Sequence, residues 1–352
     1  MKRKKRWWLF LYAFLILALA AGLFLVWRKK MTFNVSPGGE GENVGGQTQA
    51  TNESNFEKSP ISGVACENAN RRPLAVMLSG DQETRPLSGL GQADIVFEMQ
   101  VVEGSINRFM AVFVCESPSQ IGSVRSARHD FIPLAAGLDA IYAHWGGSHF
   151  ALDKLNTGII NNLDALPNPY NAFYRQSGIV APHNGFTSMS RLVNASQRLG
   201  YRMENKFVGY PHLNESETVA HGQEKKILAV EYAGSFRVSY QYVPETNSYL
   251  RYRGGTKEID ENTGKQVEAK NIVIMRAGSQ PLEGDYNDVQ VEGEGKAEFY
   301  LSGQTIKGSW KKDKSDIKSR LTFLDGKGAQ IKFVPGQIWV EIVDPGQAVT
   351  WK

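Results

Sequence analysis

"ADIVFEMQVVEGSINRFMAVFVC", residues 93–115, holds two apolar runs separated by a short Glu-Gly-Ser segment. Runs of this length, rich in aliphatic and aromatic residues and bounded by turn formers, read as strands. Their close spacing reads as a hairpin, so the two strands should pair antiparallel. Before them, "PLAVMLS" (73–79) reads as a buried strand; after them, "IGSVRS" (121–126) reads as a short fourth and "GLDAIYAHW" (137–145) leads into a fifth. Helical patterns lie between and beyond: "DFIPLAAGL" (130–138), "SHFALDKLNTG" (148–158) and "TSMSRLVNASQRLG" (187–200). Strands interleaved with helices favour an α/β domain, and the hairpin makes its sheet mixed rather than parallel throughout.

The texture changes near residue 225. "FRVSYQYVPETNSYLRY" (236–252) is a hairpin with a Pro-Glu-Thr-Asn turn. "NIVIMRAG", "KAEFYLSGQTIKGSW" and "LTFLDGKGAQIKFVPGQIWVEIV" continue as alternating strands punctuated by glycine turns. The expected organisation is a basic stub and transmembrane anchor over 1–30, a flexible linker over 31–60, an α/β domain over 61–224 and a mainly β domain over 225–352.

The charge balance supports this order. The chain carries 40 Lys or Arg and 36 Asp or Glu, but eight of the basic residues and none of the acidic ones fall in residues 1–30. The remainder has 32 basic and 36 acidic residues, a slightly acidic body that argues against nucleic-acid binding. Between the basic clusters lie 21 uncharged residues, Trp7 to Trp27. As a helix they would measure about 31 Å, matching a ~30 Å hydrocarbon core, with tryptophans at both ends. Five basic residues before the run and three after it orient the N-terminus to the cytoplasm and the body outside. A cleaved signal peptide is the alternative, and "RKK" after the run is a poor cleavage context. Residues 31–60, rich in Gly, Asn, Ser and Thr, read as a tether spanning ~30 Å root-mean-square. Cys66 and Cys115 are either bridged or two buried thiols, and an oxidising compartment favours the bridge. "VAC" before Cys66 is no lipoprotein box, because no apolar segment precedes it. No Cys-x-x-Cys or paired-His motif offers a metal site, and neither metal nor cofactor is expected.

Two segments share a strand–turn–helix design. Arg125 ends one strand, and Pro133 keeps the following helix from starting much before His129, which leaves Arg128 at its entrance. In "AIYAHWGGSHFALDKL", His144 ends a strand, Gly146 and Gly147 turn the chain, and Ser148 is placed as an N-cap. Ligands of α/β sheets gather at such carboxyl ends. Arg108, Arg175, His183 and Asn184 add polar groups in apolar contexts. Together these ten residues would suit a carboxylate or phosphate. The competing reading is structural: Arg108, Arg125 and Arg128 could pair with Glu98, Glu103 or Asp130, and His144 could be a hydrogen-bonded core residue.

In order, "RRPLAVML", "RPLSGLGQADIVFEM", "INRFMAVF", "IGSVRSAR", "HWGGS", "FYR" and "PHNGFTS" resemble the YerB-like family of bacterial cell-envelope lipoproteins, whose function is unknown. The likeness runs from about residue 60 to the C-terminus, with "NTGKQVEAKNIVIM" and "GSWKK" echoing the family's second domain. It implies a membrane-attached, extracytoplasmic protein linked to cell-wall synthesis, and no established reaction. The chain departs from the family at three places. An apolar run replaces the lipid-bearing cysteine, "LSGDQ" replaces an acidic residue followed by Asn, and "GGTKEID" replaces a Pro-His pair. The leading expectation is a binding or scaffold protein that recognises an anionic group on a wall precursor or envelope partner. The alternative is a hydrolase using Ser148 with His144 or His183, although "GGSHF" is not a G-x-S-x-G elbow.

Overall fold

Leu74–Ser79 is buried at every position, as a strand covered on both faces must be. The computed structural model describes residues 56–102, 107–214, 217, 221–284 and 286–352; the expected membrane span at 7–27 and residues 31–55 of the expected linker lie outside the described residues. Among the described residues no helix is long and apolar enough to cross a membrane. The first half of the chain forms β1 (Leu74–Ser79), β2 (Ile95–Gln100), β3 (Asn107–Phe113), β4 (Ile121–Gly122), α1 (Phe131–Gly137), β5 (Ile141–His144), α2 (His149–Asn156), β6 (Asn162–Asp164), β7 (Tyr174–Arg175), β8 (Gly185–Thr187) and α3 (Met189–Arg198). The second half is strands: β9 (Ile227–Val230), β10 (Val238–Val243), β11 (Ser248–Arg253), β12 (Thr256–Lys257), β13 (Glu268–Ala269), β14 (Asn271–Arg276), β15 (Ser279–Pro281), β16 (Asn287–Val289), β17 (Gly293–Leu301), β18 (Gln304–Lys312), β19 (Thr322–Asp325), β20 (Ile338–Val343) and β21 (Val349–Trp351).

Ten strands form one mixed sheet in the order β19-β18-β17-β14-β20-β2-β3-β1-β5-β6. The hairpin read from residues 93–115 is present: β2 and β3 are antiparallel with Glu98 opposite Phe109 and Met99 opposite Arg108. β1, β2, β5, β6, β14 and β20 run in one direction, so their carboxyl ends lie along one edge. The compositional change near residue 225 does not divide this sheet, since β14 and β20 complete it beside β2. The folded body also starts earlier than residue 61. Ser59 is buried and donates to Asp94 at 2.8 Å, so the last residues of the expected linker are part of the core.

Strand alternation gives the sheet two apolar faces. Ala75, Met77, Ile95, Phe97 and Met99 pack with α1 and with Ala151 and Leu155 of α2. Leu74, Val76, Leu78 and Val96 pack with Leu192 and Ala195 of α3 and with Val230, Tyr240 and Tyr242 of the second sheet, ordered β12-β11-β10-β9-β21. Between the two sheets lies a buried ionic network. Arg251 donates to Glu98 at 2.5 Å, Glu258 at 2.6 Å and Glu341 at 2.8 Å, and Arg253 donates to Glu98 at 2.5 Å. Cys66 and Cys115 form a disulfide that fastens the segment before β1 to the end of β3.

Candidate anion-binding site at the carboxyl edge

The expected fourth strand is short. Only Ile121–Gly122 forms β4, and it belongs to a separate sheet with β8 and β7. The chain then crosses β1: Val124 bridges to Leu78, and the Arg125 N–H donates to the Met77 carbonyl at 2.9 Å. From there the two strand–turn–helix corners are hydrogen-bonded to each other. Trp145 N donates to Arg125 O at 3.0 Å, Ala127 N to Gly146 O at 2.9 Å and Ser148 N to Ala127 O at 3.2 Å. A side chain on Gly147 would put its Cβ 3.1 Å from Ala127 Cβ and 3.3 Å from Ala127 O. Gly146 has φ +59° and donates to Asp164 Oδ1 at 2.8 Å. The expectation that Gly146 and Gly147 admit a ligand is therefore corrected: they let one backbone approach another.

The arginines converge on a residue the sequence reading did not pair with them. Asp81, in the turn after β1, accepts from Arg125 Nη2 at 2.6 Å and from the Ser79 hydroxyl at 2.7 Å, and Arg108 Nη1 lies 3.6 Å from its other oxygen. Burial disfavours its ionised form, but Arg108, the Ser79 hydroxyl and Arg125 outweigh burial and hold Asp81 below the usual carboxylate range. Burial pushes Arg108 down to about 10, with Asp81 opposing and the charges of Arg125 and Arg128 adding to the fall. Arg128 makes no ion pair within 4 Å among the described residues. Its Nη1 donates to the Ala127 carbonyl at 3.1 Å, and its guanidinium sits 5.3 Å from the Tyr286 ring centre. The Nε atoms of Arg108, Arg125 and Arg128 are buried without a hydrogen-bond partner among the described residues. Two guanidiniums thus share one carboxylate, a third beside them has no ion pair among the described residues, and three buried Nε donors are without partners there.

The other expected residues separate from this cluster. His144 is fully buried, with Nδ1 2.8 Å from Gly146 O and Nε2 3.2 Å from Asn162 Oδ1, so it is a satisfied core residue. Ser148 accepts from Ala151 N at 3.2 Å and caps α2, and neither histidine is its partner. The nucleophile–base pair required for the hydrolase reading is not assembled. Arg175 is exposed, bonded to Asn184 at 2.6 Å and stacked 4.5 Å over Trp145. His183 lines a neighbouring cleft of about 330 Å³ with Arg85, Ser123, Gln120 and Gln176. Both His183 Nδ1 and Ser123 Oγ are buried without partners among the described residues, and Arg125 Nη1 reaches the adjacent Pro182 carbonyl at 3.5 Å. Of the carboxylates considered as arginine partners, Glu98 serves the network between the sheets and Glu103 lies outside the described residues.

Asp130 faces a further group. Hairpin β15–β16 folds over the carboxyl edge, where Asn287 Nδ2 donates to Gln100 O at 3.2 Å. This brings Asp288 to His129 and Asp130: His129 Nε2 lies 3.2 Å from Asp288 Oδ1 and 3.1 Å from Asp130 Oδ1. Burial and the Asp288 charge raise Asp130 to about 8 against the opposing Val289 N–H. Burial lowers His129. The sequence carried no motif for this cluster, because Asp288 lies about 160 residues from His129; only the Asp beside a His at a helix start was visible.

The comparisons agree with this architecture. Residues 61–202 match the N-terminal domain, and residues 228–340 the C-terminal domain, of a family described as "Protein of unknown function (DUF3048)". A "Putative lipoprotein YerB" of Bacillus subtilis (strain 168) is 32% identical over 292 residues, covering 81% of this chain and 86% of that protein. The crystal structure of the YerB protein from Bacillus subtilis superposes with a TM-score of 0.75 at 30% identity, over 84% of this chain and 99% of that one.

Proposed function

Because the chain belongs to the DUF3048 family, we propose that it is a membrane-anchored, extracytoplasmic binding protein of the cell envelope whose carboxyl-edge arginines hold an anionic group. The observation that carries the reading is a charge imbalance: Arg108 and Arg125 divide Asp81, Arg128 has no ion pair among the described residues, and the three Nε donors are buried and unbonded there. Guanidiniums so placed favour carboxylate or phosphate over neutral ligands. The relative is named a lipoprotein, and membrane attachment of this chain rests on residues 7–27. Both of its cysteines are in the disulfide, which leaves neither sulfur for a lipid. A wall precursor, with its phosphates and carboxylates, is the favoured source of the anion.

The test is calorimetric titration of the full-length chain in detergent with inorganic pyrophosphate and with soluble muropeptides. The wild type should bind one of them, more weakly as salt rises. Arg128→Ala should weaken binding at least tenfold with little change in melting temperature, since Arg128 has no carboxylate to leave behind. Arg125→Ala should lower the melting temperature, because Asp81 would keep only Arg108 at 3.6 Å and Ser79. Equal melting-temperature losses with no binding by the wild type would make the cluster a structural one and refute the reading.

A further inference from the structure

We propose that His129, Asp130 and Asp288 form a binding site for one divalent cation of the zinc class. Their ligand atoms converge from two parts of the chain, the entrance of α1 and hairpin β15–β16, and all lie within 4.8 Å of one another. The two imidazole–carboxylate separations are 3.1 and 3.2 Å. Ligands held at 2.0–2.1 Å around a tetrahedral ion stand about 3.3 Å apart, so the two imidazole–carboxylate separations are close to those a zinc ion requires. Ionised carboxylates are acceptors only, so a cation between Asp130 and Asp288 would satisfy both in that form.

The surrounding contacts hold the two carboxylates in place. Asp130 occupies the N-cap position of α1 yet makes no side-chain cap, which frees its carboxylate for the cluster. Val289 N donates to Asp130 Oδ1 at 3.2 Å, and Gln280 Nε2 to the second oxygen of Asp288 at 3.2 Å; outer contacts of this kind orient metal ligands. The His129 and Asp130 side chains are 9% and 2% exposed, whereas that of Asp288 is 35% exposed and gives the ion its route in. One nitrogen and two carboxylate oxygens suit zinc; calcium requires six to eight oxygens and would find too few. The bound ion would fasten the hairpin over the carboxyl edge. It sits beside the arginine cluster without depending on it.

The test uses the untagged full-length chain in detergent, stripped with EDTA, and titrates it calorimetrically with zinc chloride alone and with calcium chloride alone. The wild type should bind one zinc ion and gain melting temperature from it. Asp288→Asn, at a partly exposed position and close in shape, should weaken zinc binding at least tenfold and abolish that gain. His149→Ala removes the exposed pair of His149 with Glu283, 3.2 Å apart near the same hairpin, and should bind zinc as the wild type does. Absence of zinc binding by the wild type, preference for calcium, undiminished affinity in Asp288→Asn, or loss in His149→Ala would each overturn the assignment. Anion binding is read with different probes and different variants, so the two proposals fail separately.

Discussion

Arg251→Met would remove the guanidinium that joins the two sheets. The side chain is fully buried, bonded to Glu98, Glu258 and Glu341 and stacked 3.9 Å over Trp339. Methionine replaces much of the volume but none of the charge, leaving three buried carboxylates with Arg253 alone. Breaking a buried pair in this way costs about 3–5 kcal/mol. For the unit Asn52–Lys352, an unfolding entropy of about 2.1 cal/mol/K per residue gives roughly 0.6 kcal/mol/K, so the melting temperature should fall by about 5–8 °C. Calorimetry of the full chain at pH 6 reads this directly. A fall below about 2 °C would mean that the network contributes little beyond packing.

The same network sets a pH dependence. Burial and the Glu98 charge raise Glu341 to about 7, and Tyr232 and Tyr240 donate to it. A carboxyl raised on folding contributes stability that is fully present below its unfolded value near 4.5 and is lost as pH rises through about 7. This contribution to the wild-type melting temperature should therefore be lost between about pH 5 and 7 and level off above, and Glu341→Gln, neutral throughout, should flatten that slope. An unchanged slope in Glu341→Gln would refute the assignment. Glu98 and Glu258 are held low by Arg253 and Arg251 against burial, so their contribution fades instead toward acid.

Replacing Cys66 and Cys115 by Ser releases a loop of 49 residues, worth about 4 kcal/mol in the chain-entropy model, and should lower the urea midpoint while steepening the transition slope, because the unbridged unfolded chain exposes more surface. Ser148→Ala removes the α2 cap and should cost about 1 kcal/mol while leaving any ligand binding intact; loss of binding instead would return Ser148 to the site.

The strands were legible where apolar runs met clear turn signals. Residues 74–79, 95–100 and 107–113 fall within the runs read from sequence, and their hairpin made the sheet mixed. Ser148 was legible as a cap because a serine after Gly-Gly has a local mechanism. Arg251 and Arg253 were not: alternation in "SYLRYR" puts them on one face of a strand, and only the sheet packed across β2 and β20 makes that face interior. His144 misled for a related reason. A histidine beside a glycine turn suggests a ligand, but its partners, the Gly146 carbonyl and Asn162, come from the turn and from the next strand. Asp81 in "LSGDQ" was not legible as a partner, since no spacing rule connects it to arginines 27 and 44 residues later.

Strand alternation explains why the arginine cluster keeps its excess charge. Arg108 stands opposite Met99 on one side and Ser79 on the other, on the sheet face that carries α1 and α2. Glu98 stands opposite Phe109 on the reverse face, where Asn107 donates to it at 2.5 Å and the second sheet supplies Arg251 and Arg253. Adjacent residues Asn107 and Arg108 therefore serve opposite faces, and the carboxylate nearest in sequence pattern cannot reach the guanidinium. On the reverse face, three carboxylates meet two guanidiniums. On the other side, Arg108 and Arg125 meet Asp81 and Arg128 meets no carboxylate within 4 Å among the described residues, while Asp130, raised to about 8, is a poor counterion at neutral pH. A one-residue slip of β3 would exchange these environments and strand a charge on each side, so the register that fixes the fold also fixes the imbalance. With the neighbouring carboxylates committed elsewhere, the excess positive charge is the feature from which the proposed anion binding is argued, and an external anion would neutralise it.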